Sequence, residues 1–192
     1  MKILFVVPEI RLDSKPTIVP FWAGILASIV ENKNGQVAIL DLNALRMKFG
    51  GKQVPTQVII DEISSQDWDL VGIGGLTTTY GRIKELSPLL KKYAPNALIV
   101  GGGGWSTYNP HEILQLIPGL DLIVLGEGET TFSELYDELE SGGKDFQKIS
   151  GLCLRDKDTI YKFTQPRALI DDLNTVPYPA YHLFETDIYF EY

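Results

Sequence analysis

The sequence predicts an α/β fold built on a doubly wound, mostly parallel sheet of five strands. Short apolar runs alternate along the chain with longer amphipathic segments, which is the pattern of β-α-β units. The apolar runs are nearly continuous in Val, Ile and Leu, as is typical of strands that are covered on both faces. Since crossovers between parallel strands are right-handed, we expect the flavodoxin-like (Rossmann-like) strand order 2-1-3-4-5.

Five apolar runs are the predicted strands of this sheet: Lys2–Val7, Gln36–Asp41, Leu70–Gly74, Ala97–Val100 and Leu120–Leu125. Helical spacing of apolar residues predicts the crossovers and a last helix. These helices are expected at Val19–Glu31, Thr56–Ser64, Tyr80–Tyr93, Pro110–Ile117 and Thr130–Ser141. We expect Asn109 to cap the helix that begins at Pro110. Together these elements make one α/β domain over residues 1–147.

The pattern changes after Lys148. Two short apolar runs flank a polar turn and predict an antiparallel hairpin at an edge of the sheet, over Ile149–Arg155, Asp156-Lys157-Asp158 and Thr159–Phe163. From residue 165 onward the chain is rich in Pro, Asp and Tyr and has no helical or strand period. We therefore expect an appended hairpin at 148–164 and a linker at 165–192. The aromatic end Tyr189-Phe190-Glu191-Tyr192 suggests that the linker leads to a further domain.

Composition and charge exclude several classes of function. The net charge is −8 and the basic residues are scattered, which argues against nucleic-acid binding. No run approaches the roughly 20 apolar residues of a membrane span, and the first apolar run stops at Pro8, too early for a signal peptide. Cys153 is the only cysteine, so this chain alone forms no disulfide and no cysteine cluster. We expect a cytoplasmic protein in which Cys153 is a small buried residue.

Three glycine-rich loops leave predicted strands and enter predicted helices: Gly72–Tyr80, Gly101–Thr107 and Gly126–Thr131. In an open α/β sheet, ligands bind outside the carboxyl ends of the strands, where these loops lie. Glycine allows the backbone to approach a ligand closely, and the N–H groups of a following helix can face its polar groups. We expect the ligand site to be centred on Gly101–Gly104.

The common nucleotide signatures are absent. The loop Pro8–Asp13 after the first strand contains no glycine, so it lacks a dinucleotide fingerprint, and no glycine precedes Lys-Ser or Lys-Thr as in a Walker loop. A phospho-accepting receiver domain would need paired acids, an Asp and a Lys after its first, third and fifth strands. The chain has Glu9, Leu76 and Gly126 near those places, which excludes that class.

Several motifs together carry a family resemblance: Pro8, Gly101-Gly102-Gly103-Gly104-Trp105-Ser106-Thr107, Asn109-Pro110-His111-Glu112-Ile113-Leu114, Asp121, Gly126-Glu127-Gly128-Glu129, Phe132-x-Glu134-Leu135, Ile149-x-Gly151 and Asp172-Leu173-x-x-x-Pro177-Tyr178-Pro179. Over nearly the whole chain this pattern resembles the N-terminal cobalamin (vitamin B12)-binding domain of cobalamin-dependent radical S-adenosylmethionine enzymes. The Gly-Glu-Gly-Glu segment and the later Leu-x-x-x-Pro-x-Pro segment are its most specific parts.

The resemblance implies a corrinoid on the carboxyl edge of the sheet, with its nucleotide tail between sheet and helices. It implies cofactor contacts by Pro8, Leu76, Thr77, Thr78, Gly101, Gly102, Gly103, Gly104, Trp105, Ser106, Gly126, Glu127 and Gly128. Leu76, Thr77 and Thr78 would border the corrin or the tail. Trp105, Ser106 and Glu127 would form the upper rim. We expect Glu129 to complement the positive end of its helix rather than to touch the ligand.

Two family motifs are missing. Relatives of the mutase type carry Asp-x-His-x-x-Gly after the first strand to supply a lower cobalt ligand, and we expect neither His111 nor His182 to replace it. The resemblance therefore implies base-off cobalamin without a histidine from this chain. The Cys-x-x-x-Cys-x-x-Cys motif is also absent, so S-adenosylmethionine and the [4Fe-4S] cluster would belong to a following radical domain.

The parent reaction implied by the resemblance is methyl transfer or radical ring formation. Two alternatives remain open at this point. One is a scaffold or substrate-docking domain of the same fold without a cofactor. The other is a nucleotide-binding domain whose glycine loops hold phosphates.

Overall fold

Seven strands form one sheet in the computed structural model, which describes residues 1–156 and 160–190. Their order is β2-β1-β3-β4-β5-β6-β7. The strands are β1 Lys2–Val7, β2 Gln36–Asp41, β3 Leu70–Gly74, β4 Leu98–Gly102, β5 Leu122–Val124, β6 Leu152–Asp156 and β7 Ile160–Phe163. The pairs among β1 to β5 are parallel, whereas β5–β6 and β6–β7 are antiparallel. The predicted order 2-1-3-4-5 is confirmed, and the predicted hairpin extends the sheet at one edge; Lys157, Asp158 and Thr159 of its turn lie outside the described residues.

Five helices of the described residues connect these strands as predicted, with small shifts at their ends, and two further short helices, at Leu42–Leu45 and Asp187–Phe190, were not predicted. They are α1 Phe21–Asn32, α2 Leu42–Leu45, α3 Thr56–Ile63, α4 Tyr80–Tyr93, α5 Pro110–Leu116, α6 Glu129–Glu140 and α7 Asp187–Phe190. Asn109 occupies the N-cap position before Pro110, as predicted, but its side chain makes no capping hydrogen bond. Within the described ranges, no helix combines the length and the hydrophobicity that crossing a bilayer requires.

Two hydrophobic cores lie on opposite faces of the sheet. One packs α3, α4 and α5 against the side chains of Val71, Ile73 and Ile99. The other packs α1 and α6 against Leu70 and Val100. Since successive side chains of a strand point to opposite faces, each buried strand contributes to both cores. Burial of each large aliphatic side chain contributes about 1.5–3 kcal/mol, which accounts for helices on both faces.

The C-terminal segment returns to the body of the domain and packs on α1. The backbone N–H of Ala180 donates to the carbonyl of Gly24, 3.0 Å away. Gly24 admits this contact because a Cβ there would lie 2.8 Å from Cβ of Pro179. The Tyr189 hydroxyl donates to the carboxylate of Asp41, whose pKa is raised by burial. Individual contacts rather than a periodic apolar face hold this segment, so its packing could not be predicted from the sequence pattern. Its role as a linker stays a prediction.

Cys153 is completely buried in β6, as predicted, and burial raises the pKa of its thiol to about 11. Only about one Cys153 thiol in a thousand is then ionised at pH 8. In addition, a thiol reagent in solution cannot reach the buried sulfur. We expect an aromatic disulfide reagent to label Cys153 in the denatured protein within minutes and to leave the native protein unlabelled over the same time. Rapid, complete labelling without denaturant would contradict the buried position.

Candidate functional site

An apolar cavity of about 300 Å³ lies between the carboxyl half of the sheet and helices α1 and α6. Glycines open it. Gly72 and Gly74 of β3 and Gly102 of β4 occupy the face that Leu70 and Val100 occupy further back. In the parallel register Gly74 is paired with Gly102, and Gly72 with Val100. The rings of Phe5 and Trp22 lie close to the backbone at Gly72 and Gly74, whereas the backbone at Gly102 stays open to the cavity.

Aromatic side chains form the walls of this cavity. The Phe5 ring meets Trp22 edge-on with 6.0 Å between centroids, and it meets Phe132 at 5.5 Å. The Trp22 ring stands over Gly74, where a Cβ would lie 3.0 Å from its ring atoms. Aromatic walls favour a planar aromatic occupant, because rings pack well edge to face and in offset stacks. We call this cavity the aromatic slot.

The first two glycines of Gly101–Gly104 have different surroundings. A Cβ on Gly101 would point away from the slot, 3.3 Å from the Trp105 ring. A Cβ on Gly102 would point into the slot, and its nearest neighbour would be the Val124 carbonyl oxygen at 3.8 Å. Gly102 therefore keeps open a volume that the surrounding protein would allow a side chain to fill.

The last two glycines of the run form the loop itself. Gly103 has a φ of +97°, and a Cβ there would lie only 2.7 Å from the carbonyl oxygen of Gly75. Its lack of a side chain brings the loops after β3 and β4 into contact. A Cβ on Gly104 would have no neighbour within 4 Å. Gly101 thus packs against the core, and Gly102 faces the slot. Gly103 contacts the loop after β3, and Gly104 has open space around it.

A second cavity of about 360 Å³ adjoins the slot on its outer side. The loop after β1 lines it with Pro8 and Ile10, the segment before α1 with Ile18, and the loops after β3 and β4 with Leu76 and Gly104. Several of these apolar side chains are exposed to solvent, which marks a surface suited to a ligand. We call it the outer cavity. It shares three residues with the slot, namely Trp22, Gly74 and Gly103.

The structure brings most of the predicted site residues together at this edge of the sheet. The aromatic slot is lined by Gly101, Gly102, Gly103, Gly126, Glu127 and Gly128. The outer cavity is lined by Pro8, Leu76, Gly103 and Gly104. Thr77 and Thr78 line neither cavity and are exposed beside Leu76.

Trp105 and Ser106 point into the protein rather than toward the predicted rim. The Trp105 indole N–H donates to the carbonyl of Gly102 at 2.7 Å, and the side chain is 6% exposed. Ser106 is fully buried, and its hydroxyl donates to the carbonyl of Gly103 at 3.2 Å. Buried carbonyls need donors, so these side chains turn inward and hold the glycine loop in shape.

Of the other lining residues, Gly72 and Gly74 belong to the first predicted glycine loop, whereas Phe5, Trp22, Leu26 and Phe132 were not among the predicted contacts. The two glycines had a detectable signal, because glycine at alternating positions inside a strand marks close approach of another group. The apolar residues had none, since a side chain that lines a slot and one that fills a core have the same local pattern.

Both acids of the Gly-Glu-Gly-Glu segment line the slot. The Glu127 carboxylate accepts a hydrogen bond from the backbone N–H of Ile170 at 2.6 Å. Glu129 begins α6, as expected for an acid at the positive end of a helix, and its Oε2 atom is buried with no hydrogen-bond partner among residues 1–156 and 160–190. The returning C-terminal segment therefore binds one oxygen of Glu127, whereas Glu129 keeps a buried acceptor without a donor.

Two arginine side chains, one buried and one half-buried, hold the loop after β1. The Arg82 Nε atom donates to the carboxylate of Glu9 at 2.8 Å, and the N–H of Val54 donates to the same carboxylate at 3.2 Å. Arg46, which is almost fully buried, donates to the carbonyl of Ser14. Charge-assisted hydrogen bonds of this kind are stronger than neutral ones, so this wall of the outer cavity is held firmly.

Neither histidine lies at the site. His111 packs beside the rings of Tyr161 and Phe163, with centroids 5.1 and 6.5 Å away. His182 pairs with the carboxylate of Glu31 at 2.8 Å. In the portion of the chain that the structure describes, no three side chains of His, Cys, Asp or Glu form a metal-binding cluster. The site itself offers no imidazole.

An open parallel sheet with an apolar slot at its carboxyl ends defines a cofactor-binding doubly wound domain. The comparison with known families makes this more specific. The model of the B12 binding domain matches residues 10–136, and the chain belongs to this family.

Relatives and solved structures agree with this assignment. The chain is 31% identical to an uncharacterized methyltransferase, PH0819, of Pyrococcus horikoshii over 98% of its own length and 40% of the relative's. It is 37% identical to the anaerobic magnesium-protoporphyrin IX monomethyl ester cyclase of Synechocystis over 55% of its length and 21% of the relative's. The cobalamin-dependent S-adenosylmethionine radical enzyme OxsB shares the fold, with a TM-score of 0.75 at 18% identity over 93% of this chain and 24% of OxsB. The chain thus spans less than half the length of these relatives.

Proposed function

We propose that the chain binds cobalamin with the nucleotide tail in the aromatic slot and the corrin ring over the outer cavity. The observation that carries this proposal is the apolar slot beside Trp22, whose floor at Gly102 is filled by neither a side chain nor a neighbouring ring. The dimethylbenzimidazole of the tail is a planar bicyclic ring, and a slot with a glycine floor and aromatic walls suits such a group. The residues present therefore fit this cofactor.

Each part of the site has a distinct role in this proposal. The predicted residues that line the two cavities contact the cofactor: Pro8, Leu76, Gly101, Gly102, Gly103, Gly104, Gly126, Glu127 and Gly128. Thr77 and Thr78 add exposed hydroxyl groups beside Leu76. Trp105 and Ser106 hold the loop through their bonds to glycine carbonyls. The apolar walls exclude water from the ring of the tail.

The proposed binding mode is base-off, without a histidine from this chain. Bound cobalamin supplies a cobalt centre that can carry a methyl group or take part in radical chemistry. A tail held in the slot keeps its base away from the cobalt. His111 and His182 support this mode because both pack elsewhere, against aromatic rings and Glu31 respectively.

We further propose that the parent enzyme is a cytoplasmic radical S-adenosylmethionine methyltransferase or cyclase. The longer relatives, a methyltransferase and a cyclase, support this. S-adenosylmethionine and the [4Fe-4S] cluster would be held by a C-terminal radical domain, because the single cysteine here is buried in β6. This chain would then present cobalamin to that domain.

The lining of the two cavities disfavours the nucleotide alternative. No Lys or Arg lines the aromatic slot or the outer cavity in the described structure, so nucleotide phosphates would lack a cationic partner there. A scaffold without a cofactor would have no need of an apolar slot that is left unfilled at Gly102.

Gel filtration of the full chain with hydroxocobalamin tests the proposed function. We expect corrinoid absorbance to co-elute with the protein at close to one equivalent when both are mixed at tens of micromolar. Parallel runs with adenosine and uridine nucleotides serve as the comparison. Retention of a nucleotide without corrinoid would favour the nucleotide alternative, and retention of neither would favour the scaffold.

A further inference from the structure

We infer that Glu129 recognises a ribose hydroxyl of the nucleotide tail and thereby sets the orientation of the tail in the aromatic slot. This inference rests on the proposed function and extends it to one polar contact. Its starting point is the Oε2 atom of Glu129, the one buried side-chain oxygen or nitrogen in the described ranges that lacks a hydrogen-bond partner.

The side chain that carries the free oxygen borders the cavity. Glu129 lines the aromatic slot together with Phe132 and the backbone of Gly126–Gly128. Glu127, the other acid of the slot, accepts the N–H of Ile170 through one of its oxygens. Glu129 differs from it in holding an oxygen that is buried and has no donor, and a ligand hydroxyl in the slot can meet this carboxylate once its side chain turns.

A buried carboxylate oxygen without a donor is unfavourable, because water is lost and nothing replaces it. The position of Glu129 in the first turn of α6 offsets part of its charge through the helix dipole. The dipole gives the Oε2 atom no hydrogen-bond donor, however. A ligand that brings a hydroxyl to this point removes the deficit.

Among the groups of the nucleotide tail, the ribose hydroxyl is the one that can donate a hydrogen bond to Glu129. The ring nitrogen of its base and the oxygens of its phosphate accept hydrogen bonds, and a carboxylate repels the phosphate. The ribose hydroxyl donates. Glu129 thus favours the orientation in which the ribose faces the start of α6 and the phosphate lies away from it. The amide groups of the corrin also donate, so the test separates these two sources.

The test compares Glu129→Ala and Glu129→Gln with a matched control, Glu112→Ala. Glu112 is exposed in the first turn of α5, so its removal also takes an acid from a helix start. Affinity is measured by absorbance titration with cobalamin and with cobinamide, a corrinoid that lacks the nucleotide tail. Thermal unfolding of each ligand-free variant is measured alongside.

We expect Glu129→Ala to bind cobalamin about tenfold more weakly, which corresponds to about 1.4 kcal/mol. In the titration with cobinamide, Glu129→Ala should behave like the unmutated chain. Glu129→Gln keeps an acceptor oxygen and should lose less affinity than Glu129→Ala. The ligand-free Glu129→Ala chain should unfold at the same temperature or higher, because an unpaired acceptor has been removed; a purely structural role predicts a lower temperature.

Two results would overturn the inference while leaving the proposed function intact. One is unchanged cobalamin affinity in Glu129→Ala. The other is an equal loss of cobalamin and cobinamide affinity, which would place the donor on the corrin. If the unmutated chain retains no cobalamin, the proposed function itself fails, and the inference with it.

Discussion

Replacing Gly102 with Leu is expected to abolish cobalamin retention while leaving the chain folded. The new Cβ has room, since its nearest neighbour would be 3.8 Å away, and Gly102 has no positive φ that disfavours a side chain. The rest of the leucine would project into the aromatic slot and occupy its floor. We expect the affinity to fall at least about a hundredfold, or about 2.7 kcal/mol, in an absorbance titration with hydroxocobalamin.

A leucine at Gly81 is the matched control for this change. A Cβ at Gly81 would meet no atom within 4 Å, and the residue lies in α4 outside both cavities. Gly81→Leu should keep full affinity, and its unfolding temperature should stay the same or rise, because leucine favours a helix more than glycine does. Unimpaired binding by Gly102→Leu would show that the tail lies elsewhere.

Replacing the next residue, Gly103, with Val is expected to lower the free energy of unfolding by about 3 kcal/mol or more. A β-branched residue at a φ of +97° costs on the order of 1–3 kcal/mol by itself. In addition, its Cβ would lie 2.7 Å from the Gly75 carbonyl oxygen, so the loops after β3 and β4 must separate. Denaturant unfolding followed by circular dichroism measures the loss.

Gly104→Val separates this effect from a general intolerance of the loop. Gly104 has no positive φ, and a Cβ there would meet nothing within 4 Å. We expect its free energy of unfolding to change by less than about 0.5 kcal/mol. Equal destabilisation by both valines would mean that the contact between Gly103 and Gly75 is not what holds the two loops together.

The strands and helices of the domain could be predicted from the sequence because they depend on the local pattern of apolar residues. The bounds of β1, β2, β3 and α4 agree with the prediction residue by residue. The edge hairpin was accessible for the same reason. The packing of the C-terminal segment was not, because it depends on single long-range contacts such as that between Tyr189 and Asp41.

The candidate site could be predicted only in part. The glycine loops identified the edge of the sheet at which both cavities lie, since glycine at a strand end allows the backbone to approach another group closely. The direction of each side chain could not be predicted. Trp105 turns inward to a carbonyl, and Glu127 meets a backbone N–H that lies 43 residues away along the chain. Such partners are set by the tertiary structure, which the local sequence pattern does not contain.

In the proposed binding mode, the slot beside Gly102 holds the nucleotide tail away from the cobalt. Electron paramagnetic resonance of cob(II)alamin bound to the full chain reports on this separation, because a nitrogen bound to cobalt splits each cobalt line further. We expect this nitrogen splitting, present for free cob(II)alamin at neutral pH, to disappear on binding to the unmutated protein. Retention of the splitting in the bound cofactor would show that the base of the tail still binds the cobalt.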